Sequence, residues 1–282
     1  MSLLNTNQIE FWNSHFGLAW ANNSDAIDFA FSNITHAIMQ AASLVPGDRV
    51  MDLGCGSGGT SIAIAGQVGS SGCVLAVDIS KPMINRLKIR KANHKLENLS
   101  IFNGDAAILP FKSNDYDVLV SRFGCMFFNE PQIAFRNIGT ALRQDCRLAL
   151  AVWRTPRENP WAMEPISVSR QFLDMPPRPG PEEPGPFSFS DPERVRNILL
   201  GAGWTNIELT SLNLQLPLGR SDKEALAFLT EMGPLAAPLA AATKESYAKA
   251  IGRIKDLLDT KRNKDGIIQL AAGCWIITGL WN

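Results

Sequence analysis

The stretch VMDLGCGSGGTSIAIA, Val50 to Ala65, decides how the rest of the chain is read. A short apolar run breaks into a turn holding Gly54, Gly56, Gly58 and Gly59, and then resumes with helical composition. A glycine-rich turn between a strand and a helix lets backbone N–H groups approach a ligand that side chains would hold off. Gly54, Gly56 and Gly59 satisfy G-x-G-x-x-G, a spacing shared by many cofactor-binding folds. The spacing alone does not choose among ligands, so the acids around it must.

Asp52 lies two residues before Gly54. A pyrophosphate there would meet its charge at close range, whereas a cationic or zwitterionic ligand would tolerate it. VLAVDIS places Asp78 at the end of a second apolar run, about twenty residues beyond the glycines, where a carboxylate accepts from both ribose hydroxyls. After a third run, NGDAAILPF offers Asp105 to an exocyclic adenine amine and the Ala106 N–H to a ring nitrogen. Ligands of open α/β sheets gather at the carboxyl ends of the strands, and all these residues fall there. Together they predict a nucleoside site.

Outward from this core, apolar runs alternate with helical patterns as far as RLALAVW, which argues for a parallel sheet covered by helices on both faces. Residues 1–45 contain no strand-like run and read as a helical N-terminal lid. Residues 46–153 form the binding core. The pattern breaks at Arg154: nine prolines fall between Thr155 and Pro186, so residues 154–190 are expected to be an insertion without sustained regular structure, lying across the domain. Residues 191–282 then restart order, with Ser190 or Asp191 as N-cap and Pro192 in the first turn of a helix. Two late strands, TNIELTSLNLQL and GIIQLAAGCWIITGLW, run in opposite directions and complete the sheet, with a helical cap between them at about 217–264.

Lysine plus arginine equal aspartate plus glutamate at 27 each, so no overall field draws the chain to nucleic acid or an anionic membrane. The five cysteines are odd in number, never form C-x-x-C and sit mostly in apolar runs, which predicts packing thiols in a reducing compartment and no metal site. A cytoplasmic protein, monomer or homodimer, is expected.

On the quoted motifs, VMDLGCGSGGTS, VLAVDISKPMI, NGDAAILPF and YDVLVSRFGCMFF, the chain resembles the class I S-adenosylmethionine-dependent methyltransferases, in particular the small-molecule branch that includes ubiquinone-biosynthesis C-methyltransferases. The resemblance runs from about Arg49 to Trp153. It implies a Rossmann-like seven-stranded sheet in order 3-2-1-4-5-7-6 with the last strand antiparallel. It also implies S-adenosyl-L-methionine as cofactor, with S-adenosyl-L-homocysteine as product. In such enzymes the loop matching Gly54, Cys55, Gly56 and Gly58 lies under the methionyl part. Asp78 with Ile79 and Met83 would serve the ribose side, Gly104, Asp105 and Ala106 the adenine, and Ser121 and Arg122 the wall between cofactor and substrate. One departure is RQDCRLALAVW, which replaces the usual proline-glycine-glycine turn before the fifth strand, so a quinone-type acceptor is not carried over.

Acceptor groups must come from segments able to fold over the strand ends. The N-terminal EFWNSHFGLAW offers Trp12, Phe16 and Trp20, with Trp12 and Trp20 expected to shield the sulfonium. His15, the only histidine in that cluster, is the expected general base facing the acceptor. Phe123, Trp153 and Trp161 are expected to line the acceptor pocket of a small molecule. Two other readings use the same motifs. A nicotinamide-dependent oxidoreductase explains the glycines and Asp78 but not Asp52 or the GDA acid. A methyltransferase-fold protein could also bind the cofactor without transferring methyl.

Overall fold

The computed structural model describes residues 5–111, 115–177 and 179–282. Four short helices open the chain: α1 (Thr6–Trp12), α2 (His15–Asn22), α3 (Ser24–Ala30) and α4 (Ser32–Ala41). The alternating core follows as β1 (Arg49–Leu53), α5 (Gly59–Val68), β2 (Cys73–Asp78), α6 (Lys81–His94), β3 (Leu99–Asn103), β4 (Tyr116–Arg122), α7 (Pro131–Gly139) and β5 (Leu142–Trp153). After these come α8 (Pro160–Ser169), α9 (Pro192–Ala202), β6 (Trp204–Gly219), α10 (Asp222–Ala227), α11 (Ala236–Ala241), α12 (Lys244–Asp259) and β7 (Ile268–Trp281).

The strands form one sheet in the order β3-β2-β1-β4-β5-β7-β6. The first five are parallel, and β7 runs antiparallel to both β5 and β6. Val50, Met51, Val118, Leu119, Val120, Ala149 and Leu150 are fully buried. That is why these strands read as continuous apolar runs: helices cover both faces, so neither face needs polar residues. At the start of β5, where the glycine turn of the resemblance is missing, Asp145 takes a left-handed φ of 62° and the β4–β5 register shifts between Tyr116 and Val118.

Helix ends follow local chemistry. Ser80 caps α6 through the Met83 N–H, with Pro82 in the first turn. Asp191 rather than Ser190 caps α9, which Gly203 ends at φ 112°. The expectation that residues 154–190 hold no sustained structure is corrected by α8, a ten-residue helix that contains Pro165. Pro160 occupies its first turn, where a missing N–H costs nothing. Trp161, Ala162, Pro165 and Ser169 are buried, so packing against β7 and α12 outweighs the interior proline. The rest of the insertion lies across the end of β4, with the Gly185 N–H and Ser188 Oγ both donating to the Met126 carbonyl. Among the described residues, no helix is long and apolar enough to cross a membrane.

Candidate active site

A cavity of about 960 Å³ opens at the carboxyl ends of the strands, roofed by α1 to α3 and by the insertion. Its floor is the loop after β1, where the glycines do different work. A Cβ on Gly54, at φ 64°, would come within 2.5 Å of the Gly124 Cα. One on Gly58 would strike the Leu87 side chain, and one on Gly59 the Asp28 carboxylate. These three are bare so that the protein can pack against itself. At Gly56, φ 56°, the added atom meets only the Met83 Sδ at 3.5 Å and otherwise enters open cavity. Beside it, the buried Ser57 Oγ has no hydrogen-bond partner among the described residues. An open backbone cradle with an orphaned hydroxyl is what a polar ligand on this loop requires, so the residues fit the implied cofactor.

The strand-end acids are buried and held. Asp52 at the end of β1 accepts from Ser61 Oγ at 2.5 Å, and burial pushes its pKa up to about 7, against the pull of that bond and of the Arg122 charge. Asp78 at the end of β2 accepts from the Ser80 N–H at 2.7 Å and from the Gly56 N–H at 2.8 Å, so it sets the loop's shape as well as facing the cavity. Burial lifts it to about 6. Asp105, also buried, accepts from the Ala107 N–H at 2.9 Å.

A charge network unforeseen in the sequence closes the wall on the α3 side. Asp28 pairs with Arg90 at 2.5 Å, and Arg90 also donates to the Ser57 carbonyl at 2.8 Å, pinning the glycine loop from α6. Arg122 donates to Thr35 Oγ1 at 2.6 Å, lies 3.8 Å from Asp28 and covers the Phe31 ring. Its burial lowers the guanidinium pKa. In sequence, Asp28 sits in DAIDFAF and reads as an ordinary exposed helix charge. No local signal distinguishes it.

The opposite part of the cavity is aromatic. Phe123 adopts φ 67°, unusual for a side-chain-bearing residue, and stacks on Trp153 with centroids 4.1 Å apart and planes 12° off parallel. Trp161 lies 4.9 Å from Trp153, and Phe31 and Phe228 complete the cluster. Phe31 and Phe228 carry no sequence signal beyond a helical apolar stripe.

The cavity therefore brings together Asp52, Gly54, Cys55, Gly56, Asp78, Ile79, Met83, Gly104, Asp105, Ala106 and Arg122, with Trp12, Phe16, Trp20, Phe123, Trp153 and Trp161 also bordering it. Three expected residues lie outside it. His15 is exposed, its ring centroid 4.3 Å from that of Phe16, and it does not border the cavity. Ser121 is fully buried and donates to the Leu53 carbonyl at 2.7 Å, a tie between β4 and β1. Gly58 faces Leu87.

A family model described as a methyltransferase domain matches residues 44–172. The chain is 27% identical over 218 residues to nocamycin O-methyltransferase of Saccharothrix syringae, covering 74% of this chain and 76% of that protein. Over 119 residues it is 28% identical to aklanonic acid methyltransferase DauC of Streptomyces sp. (strain C5), covering 42% of this chain and about half, 54%, of the relative. It is also similar in fold to the YcgJ protein from Bacillus subtilis, with a TM-score of 0.56 at 20% identity over 88% of this chain and 97% of the other. Strand order, the cradle beside the strand-end acids and the domain match agree: residues 44–172 match a methyltransferase domain, and the chain is similar to small-molecule methyltransferases.

Proposed function

We propose that the chain methylates a flat, largely apolar small molecule at an oxygen or carbon that ionises without help from a protein base. The observation that carries this reading is one continuous cavity in which buried acids and a bare glycine backbone give way to the Phe123–Trp153 stack. Stacked and edge-on rings hold a planar acceptor at fixed depth. S-adenosylmethionine, when bound, supplies an electrophilic methyl on a sulfonium whose leaving group is a neutral thioether. The residues present then have three tasks: Asp78 receives the ribose hydroxyls, the Gly56 and Ser57 backbone receives the amino-acid end, and the aromatic cluster positions the acceptor and excludes water.

No histidine, lysine or tyrosine borders the cavity among the described residues. Its carboxylates are already engaged, the half-buried Asp28 with Arg90, Asp52 with Ser61, Asp78 with the Ser80 and Gly56 N–H groups and Asp105 with Asn5, while Glu183 is exposed. An acceptor with its own acidity, such as a phenol, an enol or a 1,3-dicarbonyl, suits such a wall. The names of the O-methyltransferase and aklanonic acid relatives are consistent with that class.

The test is formation of S-adenosylhomocysteine with a panel of planar phenols and enols against amines of similar size. Turnover confined to amines would sink the acceptor assignment. Asp78→Ala removes a charged acceptor worth roughly 1.5 to 3 kcal/mol, so its affinity for S-adenosylmethionine is expected to fall at least about tenfold. Wild-type affinity in that variant would refute the ribose assignment.

A further inference from the structure

The N-terminal segment reaches the acid at the adenine end of the site. Asn5 is 2% exposed. Its side-chain nitrogen donates to both carboxylate oxygens of Asp105, at 2.8 Å to Oδ1 and 3.0 Å to Oδ2, and its own Oδ1 accepts from the Asn129 N–H at 2.9 Å. Asn5 stands at the N-cap of α1, where an asparagine ordinarily accepts from first-turn N–H groups. Here it makes no such bond. The local cap is given up for partners 100 and 124 positions away in sequence. The far end of α1 is tied too: Ser80 Oγ donates to the Trp12 carbonyl at 2.7 Å, and Asn13 both donates to the Ile79 carbonyl and accepts from the Lys81 N–H. The helix thus runs from the Asp105 end of the cavity to the Asp78 end.

We propose that Asn5 is a positioning residue of the cofactor site, holding the Asp105 carboxylate in the one orientation that reads the exocyclic amine of adenine. The proposal rests on the cofactor assignment above. An ionised carboxylate offers about four acceptor positions on two oxygens. Asn5 spans both oxygens and the Ala107 N–H takes Oδ1, which leaves a position on Oδ2, and both Asn5 and Asp105 border the cavity. The terminal torsion of an aspartate is broad, so without Asn5 the carboxylate samples orientations that do not face the ligand. Held, it accepts from an amine and repels a carbonyl oxygen at the same ring position.

The experiment titrates S-adenosylhomocysteine and S-inosylhomocysteine, in which a carbonyl replaces the amine, into wild type, Asn5→Ala, Asp105→Ala and the double variant by calorimetry. Asn5→Ala is expected to weaken S-adenosylhomocysteine by about tenfold, the worth of one charge-assisted hydrogen bond, and to narrow the preference for the amine. It is expected to add no loss on top of Asp105→Ala, because both act through one carboxylate. Asn5→Leu keeps the side-chain volume and is expected to give the same result if the alanine variant loosens α1. Equal weakening of both ligands, a loss that adds to that of Asp105→Ala, unchanged binding, or tighter binding by the variants would overturn the proposal. Failure of wild type to bind either nucleoside would instead overturn the cofactor assignment on which it rests.

Discussion

Two buried aspartates should make the stability of the ligand-free protein run opposite to ordinary acid sensitivity. Burial lifts Asp52 from 3.8 to about 7 and Asp78 from 3.8 to about 6, and in the unfolded chain both return to the lower value. Between those limits the folded state binds more protons than the unfolded one. Their contribution is therefore fully present below about pH 4 and is lost as pH rises through about 6 and then about 7. The interval from 3.8 to about 7 corresponds to about 4 kcal/mol for Asp52, and that to about 6 to about 3 kcal/mol for Asp78. The two do not add fully, since the Asp78 charge is one of the causes that raise Asp52 and neutralising Asp78 relieves it. Asp52→Asn keeps an oxygen for Ser61 Oγ and cannot ionise. Urea unfolding from about pH 8.5 to about pH 5.5 should show wild type gaining a few kcal/mol on acidification, while Asp52→Asn starts more stable at the alkaline end and follows a flatter line. The remaining slope belongs to Asp78. A wild type that loses stability over this range, or a variant whose curve runs parallel to it, would refute the reasoning.

Two further outcomes separate packing from ligand contact. Gly54→Ala should lower the unfolding midpoint sharply, because its Cβ meets the Gly124 backbone at 2.5 Å, whereas Gly56→Val should cost less stability and abolish cofactor binding measured by calorimetry. Equal thermal destabilisation by the two would argue that both glycines serve the fold. His15→Ala, at an exposed position outside the cavity, should leave kcat and KM within about twofold of wild type, the range of a surface substitution. A large loss of kcat would restore it as a base.

The parallel core was legible because its determinants are local. Apolar runs, the glycine turn at Gly54 to Gly59, the cap at Ser80 and the acids Asp52, Asp78 and Asp105 each sit within a few residues of the strand end that defines them. Helix α8 was not legible, because the interior Pro165 argues against it locally and the compensating packing of the helix comes from the distant β7 and α12. The placement of His15 outside the cavity was not legible for a related reason. An aromatic neighbourhood in sequence says nothing of which side of α2 meets the cavity, and His15 is exposed while Phe16 borders the cavity.

The sequence by itself determined the alternation of strands and helices in the parallel core and the presence of three acids at strand ends, since alternation, capping and turn chemistry are written in consecutive residues. Only the tertiary structure decided which glycine is bare for a ligand and which for Gly124, Leu87 or Asp28, and which acids are free to face the cavity. It alone joined Asn5 to Asp105 and Asp28 to Arg90, pairs 100 and 62 residues apart. Partners so distant leave no periodic trace in the chain, because their meeting depends on how whole elements pack and not on the residues beside them.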